Sequence, residues 1–215
     1  MGKLYQFHHQ HPNGVMDQIL SFIPKEAKKQ TYKLLKTSKI LIKITKKRKT
    51  KHGDFRRMAN GNLLITLNIM TNPYRFLITL LHELAHFKVS QSFFYRIRPH
   101  GEEWKKAYRE IILPFLNPKI FPEPLCSLLA VHMLNPKAST DRDFDLVMAL
   151  KKYDPPSVSV PIFKLMDGTK FSLENGRNFL KIKKLRKRYE CKELKNGRIY
   201  LFSPHAEVFP TSSFI

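Results

Sequence analysis

The sequence predicts an α+β fold in two parts, and three observations carry that prediction. Short β-branched runs between residues 40 and 68 read as a small antiparallel sheet. Longer stretches with apolar residues at helical spacing fill most of 72–153. After Pro155-Pro156, Asp167-Gly168, Asn175-Gly176 and Asn196-Gly197 separate short apolar runs, which is hairpin-turn chemistry. The expected organisation is a flexible N-terminus over 1–12, a domain with a helical extension over 13–154, and a small β-module over 158–209.

The elements follow in order. Val15 to Phe22 reads as a short helix stopped by Pro24, and Lys25 to Lys36 as a second, with Tyr32, Leu34 and Leu35 as its apolar contacts. Ile40 to Ile44 is a strand, Lys46 to Lys51 a basic turn region, and Asp54 to Met58 a weaker strand. Asn60-Gly61 is a turn, and Asn62 to Asn68 the third strand. Asn72-Pro73 then starts a helix running to about Ser90, with Asn as N-cap and Pro at the first helical position. A further helix begins near Gly101, and Leu125–Leu134 and Phe144–Tyr153 are helical. In the β-module, Ile162–Leu165, Lys170–Leu173 and Ile199–Phe202 are the runs between turns.

Composition narrows the function. The chain has 215 residues, 42% hydrophobic and 26% charged, enough to bury a core without staples. Its two cysteines, Cys126 and Cys191, exclude a disulfide framework and a four-cysteine zinc site, and suit a reducing compartment. No apolar run approaches the ~20 residues of a membrane span, and Met1–His11 has no signal-peptide core. A cytoplasmic protein with no membrane partner is expected. The outlier is charge: 39 basic against 17 acidic residues, a formal +22. Residues 1–60 carry 15 basic and 3 acidic, residues 151–215 carry 14 and 6, and residues 101–150 carry 6 and 7. Basic charge thus flanks a neutral middle, and a polyanion is its natural partner.

The motif with the most chemistry is His82-Glu83-Leu84-Ala85-His86. Histidines at i and i+4 lie on one helical face, one turn apart, and both imidazoles can reach one Zn²⁺. Glu83 stands about 100° around the helix from His82, placed to take a proton from an activated water without ligating. With 9 His in the chain, composition alone predicts only about 0.02 such matches. Burying two histidines and a glutamate without partners would cost several kcal/mol, which ligation removes.

An open zinc site needs a third protein ligand. Of His8, His9, His11, His52, His100, His132 and His205, His100 is the best placed, opening the next helix 14 residues after His86. Glu102 and Glu103 are either partners of the ligands or simply favourable first-turn residues. The sequence does not identify the oxyanion donor; Tyr95, Arg96 and Arg98 lie in the connecting loop.

These residues resemble the SprT-like, Spartan-related zinc metalloprotease family. The resemblance rests on His82-Glu83-Leu84-Ala85-His86, the spacing to His100-Gly101-x-x-Trp104-Lys105, the strand–Asn72-Pro73–helix arrangement, and the basic hairpin from Ile44 to Arg56; it spans roughly residues 13–115. It implies a minimal zincin-like metalloprotease domain, a small sheet packed on the active-site helix. His82, His86 and His100 would be zinc ligands and Glu83 the general base. Substrates would be proteins associated with nucleic acid, as in DNA–protein crosslink proteolysis. Members often continue into a zinc ribbon. Here Tyr189-Glu190-Cys191 is similar to the start of its second knuckle, but Leu194 replaces the partner cysteine and the first pair is absent. The module is therefore expected to be held by Phe, Tyr and Leu packing, without metal.

Two basic clusters are candidate nucleic-acid contacts: Lys46, Lys47, Arg48, Lys49 and Lys51, and Lys181, Lys183, Lys184, Arg186, Lys187 and Arg188 beside Tyr189. Such clusters neutralise phosphates without reading bases, and Tyr189 offers a ring for stacking. The expected partner is DNA, bound non-specifically. Two alternatives remain at this level: a non-enzymatic nucleic-acid-binding protein with a structural or vestigial zinc, and a zinc hydrolase of non-peptide substrates.

Overall fold

The computed structural model describes residues 13–38, 40–46, 48, 51–92 and 98–211. The chain divides between Asp154 and Pro155 into two compact units, each with its own hydrophobic core. The expected flexible segment 1–12 lies outside the described residues. Among those described, no helix is long and apolar enough to cross a membrane.

The first unit opens with α1 (Asn13–Ser21) and α2 (Lys28–Lys36). Pro24 precedes a 3₁₀ turn, Lys25–Ala27, so the second helix begins three residues later than the sequence pattern suggests. Three strands follow, β1 (Leu41–Thr45), β2 (Gly53–Arg57) and β3 (Leu63–Asn68). β2 and β3 form the expected antiparallel hairpin, with Gly61 at φ 80 in its turn, a torsion that glycine adopts without Cβ strain.

The sheet is not wholly antiparallel, however. β1 pairs with β3 in parallel, giving the order β1-β3-β2. β2 takes one edge of β3 and β1 the other, so the connection from β1 to β2 crosses the end of β3. Asn68 fixes that crossing segment. Its amide donates to the Lys51 carbonyl at 2.7 Å and the Arg48 carbonyl at 3.3 Å, and its oxygen accepts from Arg48 Nε at 2.7 Å.

Because β3 is central, both of its edges are paired. Among the described residues the outer edges belong to β1 and β2.

Asn72 caps α3 (Pro73–Ser92) as its sequence suggests, accepting from the Arg75 N–H at 3.1 Å. Its amide ties the cap to the Leu150 carbonyl at 2.8 Å and Asp154 at 2.7 Å. α3 buries residues all round, including Phe76, Leu77, Leu80, Leu81 and Leu84. It lies between the sheet and α4 (Glu102–Ile112), whose buried face is Trp104, Ala107, Tyr108, Ile111 and Ile112. α5 (Leu125–Leu134) and α6 (Phe144–Lys151) complete the unit. The Asp143 carboxylate caps α6, accepting from the Leu146 N–H at 3.3 Å.

The second unit is a six-stranded sheet in the order β4-β9-β5-β6-β7-β8. Its strands are β4 (Val160–Pro161), β5 (Lys170–Ser172), β6 (Asn178–Lys184), β7 (Tyr189–Glu193), β8 (Ile199–Phe202) and β9 (Glu207–Pro210), and every pairing is antiparallel. Gly168, Gly176 and Gly197 sit at φ 86, 79 and 71, as the three turn dipeptides require. Ile162–Lys164, part of one of the short apolar runs, is a 3₁₀ turn after Pro161, closed by Leu165 N–H donating to the Ile162 carbonyl at 3.1 Å. Ile162, Leu165, Phe171, Phe179, Tyr189, Cys191 and Val208 form the core.

Candidate metal centre

Three imidazole nitrogens meet between α3 and α4. The Nε2 atoms of His82 and His86 are 3.3 Å apart, those of His86 and His100 3.0 Å, and those of His100 and His82 3.2 Å. Three nitrogens bound to one tetrahedral zinc at about 2.05 Å would stand about 3.3 Å apart. The donor set and its spacing therefore fit such an ion, and among the described residues this is the group with metal-holding geometry.

Two of the imidazoles come from successive turns of α3. The third comes from the turn before α4, where His100 adopts φ 59, the left-handed region. Trp104, one turn into α4, contacts all three rings, at centroid distances of 4.7 Å to His82, 5.3 Å to His86 and 4.7 Å to His100. Phe55 of β2 stacks against His86 at 6.3 Å. The rings are thus fixed by packing before any ion arrives.

The electrostatics favour ligation. Burial, then the neighbouring His86 and His100, holds His82 well below its ordinary pKa. Burial, then His100, lowers His86 to about 4. Burial, then the Arg142 charge, lowers His100. Neutral imidazole is the form that binds metal.

Glu83 points from the same helix toward β2. Burial, then the Asp54 carboxylate, pushes it up to about 8, against Arg48, Lys51 and the Phe55 N–H, which pull it down. A dication among the imidazoles opposes the upward shift as well. Burial, with the Glu83 carboxylate nearby, raises the Tyr108 phenol beneath the site.

Gly53 is a site residue that the sequence motifs do not reveal. A Cβ there would lie 2.7 Å from Glu83 Oε1 and 2.7 Å from Thr79 Cγ2. Only glycine lets β2 come this close to the glutamate. Gly53→Ala is expected to displace the carboxylate and to slow by at least about tenfold any reaction in which Glu83 moves a proton, since small misplacements of such groups are costly. Its zinc content should match wild type. Turnover and metal analysis of the purified variant check both, and an unchanged rate would show that Glu83 has room to spare. The sequence hint was a glycine at the start of a strand, which can mark close backbone approach.

The remaining sequence candidates separate. Glu102 pairs with Lys105 at 2.8 Å and, like Glu103, is exposed, so both are first-turn residues and not partners of the ligands. His52 faces Asp141 at 3.5 Å, and His132 is buried against Asp143 at 2.9 Å. Tyr95 and Arg96 lie outside the described residues, whereas Arg98 lines the pocket at the site.

In the first basic cluster, Lys47 and Lys49 lie outside the described residues. Lys46 is exposed, and Lys51 pairs with Asp54 at 2.8 Å. Arg48 is not a free phosphate contact, because it is committed to Asn68 and, through Nη1, to Thr66 Oγ1 at 3.0 Å.

In the second cluster Lys183, Lys184, Arg186, Lys187 and Arg188 are exposed around the β6–β7 turn. Lys181 and Tyr189 are not available. The Lys181 ammonium is buried, donating to the Leu165 carbonyl at 2.5 Å, pairing with Asp167 at 3.1 Å and lying 4.2 Å over the Tyr189 ring. Strand alternation turns both residues inward, where an unpaired ammonium would be too costly to tolerate.

No family model, curated protein or solved structure matches the chain.

Proposed function

We propose that this chain is a zinc-dependent peptidase acting on proteins associated with nucleic acid. The observation that carries the proposal is the Nε2 triangle of His82, His86 and His100 with Glu83 one residue away, open to a pocket of about 510 Å³. Three imidazoles leave one position of a tetrahedral ion free, which distinguishes a catalytic from a closed structural site. Zinc held there supplies Lewis acidity and brings the pKa of a water toward about 7.

The chain's own residues do the rest. Glu83 accepts the proton of the attacking water on a carboxylate oxygen and returns it to the leaving amine. Trp104 and Phe55 keep the imidazoles aimed and exclude bulk water from their inner side. The outer edge of β2 runs past Glu83, and an extended peptide can add to it as a further strand. The zincin-like comparison rests on this arrangement of edge strand, active-site helix and third histidine.

The β6–β7 turn supports the nucleic-acid half. Lys183, Lys184, Arg186, Lys187 and Arg188 project from one hairpin end with no acidic residue among them. Binding there should be non-specific and steeply salt-dependent, with each phosphate contact contributing about −0.9 to the slope of log K against log salt.

The test is cleavage of a basic model protein with and without single- and double-stranded DNA, in parallel with binding titrations across salt concentrations. Neutralising Lys183, Lys184, Lys187 and Arg188 together should flatten the salt slope and weaken binding to all sequences alike. It should leave zinc content and cleavage of a short unstructured peptide unchanged. An unchanged slope would make this turn a solvated surface. Absence of any cleavage by the zinc-loaded protein would end the peptidase proposal.

A further inference from the structure

We infer that the site prefers substrates with a carboxylate close to the scissile bond, received by Arg98 at the mouth of the pocket. The inference rests on the peptidase proposal and names the substrate chemistry of the same site.

The pocket has three charged walls, Asp54, Glu83 and Arg98. Asp54 is occupied by Lys51 at 2.8 Å. Glu83 is the proton acceptor. Arg98 alone has no acidic partner: among the described residues no carboxylate lies within ion-pair distance of its guanidinium, and its side chain is exposed at the rim.

Arg98 is also two residues from His100, and its carbonyl accepts from the Gly101 N–H at 3.0 Å. The backbone that delivers the third imidazole therefore fixes where the Arg98 side chain starts.

Arg48, in the connection from β1 to β2, is held by the neutral partners Asn68 and Thr66, so its charge is positioned without being neutralised. Beside the histidines and Ser90, the lining includes apolar surface from Phe55, Val89, Pro99, Trp104 and Ala138.

A guanidinium without an acidic partner, at the rim of a pocket beside an amide-cleaving centre, suits a peptide carboxylate better than a lysine side chain. A planar guanidinium holds a carboxylate through two parallel hydrogen bonds, so position as well as charge is selected. The carboxylate has two sources, an Asp or Glu side chain within the substrate or the substrate's own C-terminus.

The experiment uses the zinc-loaded full chain and short fluorogenic peptides that differ at one residue beside a fixed cleavable bond: Ala, Glu or Lys, all with amidated ends. A fourth peptide has Ala and a free C-terminus. Turnover is measured on wild type, and peptide affinity on Glu83→Gln, so that binding is read without cleavage.

A Glu peptide favoured over Lys by at least about tenfold, the effect of one charge-assisted hydrogen bond, supports the inference with a side chain as the source. The same advantage for the free C-terminus identifies the terminal carboxylate. Arg98→Gln should remove the preference and Arg98→Glu invert it, with melting temperatures confirming that both variants fold.

Equal turnover and affinity for all four peptides would overturn the inference and leave the peptidase proposal standing. Carboxylate-selective binding with no cleavage would do the reverse. Displacement of the peptides by an oligonucleotide in an Arg98-dependent manner would also overturn the inference, making the pocket a phosphate site.

Discussion

Glu83→Gln is expected to keep its metal and its fold and to lose at least about 10²-fold in peptide turnover. The amide has the shape of the carboxylate but cannot accept the proton. The surroundings make the effect a clean one to measure. Glu83 is buried, stands against Gly53 and lies near Asp54, so a neutral replacement relieves repulsion without opening a cavity. Metal analysis, a thermal melt and single-substrate kinetics on the same preparation separate the three properties. A variant that lost its zinc would make Glu83 a ligand and require a different proton acceptor.

Histidine removal should have the larger effect on metal content. His86→Ala is expected to reduce bound zinc from one per chain to a small fraction of that and to abolish turnover. His86 lies at the centre of the packing, 5.3 Å from Trp104 and 6.3 Å from Phe55, with its Nε2 the closest partner of His100. Circular dichroism should still show a folded protein, because the core of the first unit runs through Phe76, Leu80, Leu84 and Tyr108 without depending on the imidazoles. His100→Ala tests the third ligand separately. Full zinc retention there would show that the ion is held by another residue.

Much of this architecture is legible in the sequence where the signal is local. Asn72-Pro73 announces α3 because an Asn side chain and a ring-locked φ satisfy a helix start unaided. The helix at Leu125–Leu134 and the glycines of the module's turns are local in the same sense. The histidine pair is legible because helical spacing alone puts both rings on one face.

What escapes depends on partners distant in the chain. The parallel pairing of β1 with β3 leaves no trace in strand alternation, which specifies faces and not directions. Lys181 and Tyr189 read as part of a basic run, but alternation with Phe179 places Lys181 on the inner face of β6. A count of charges does not register that. Arg48 likewise belongs to Asn68, 20 residues away. Gly53 acquires its meaning only where another element's side chain leaves no space.

The torsion at His100 has a consequence of its own. A non-glycine residue in the left-handed region costs about 1–2 kcal/mol. The chain bears that cost at the residue that completes the triangle, so robustness and chemistry compete at a single position. Glycine at 100 would relax the turn and forfeit the imidazole. Selection for thermal hardiness alone would drift toward the relaxed turn, whereas selection for turnover would hold the strained one. Under the proposed function, persistence of histidine at this torsion would be a signature of a working site, and its decay to glycine or asparagine the first mark of a copy that has lost it.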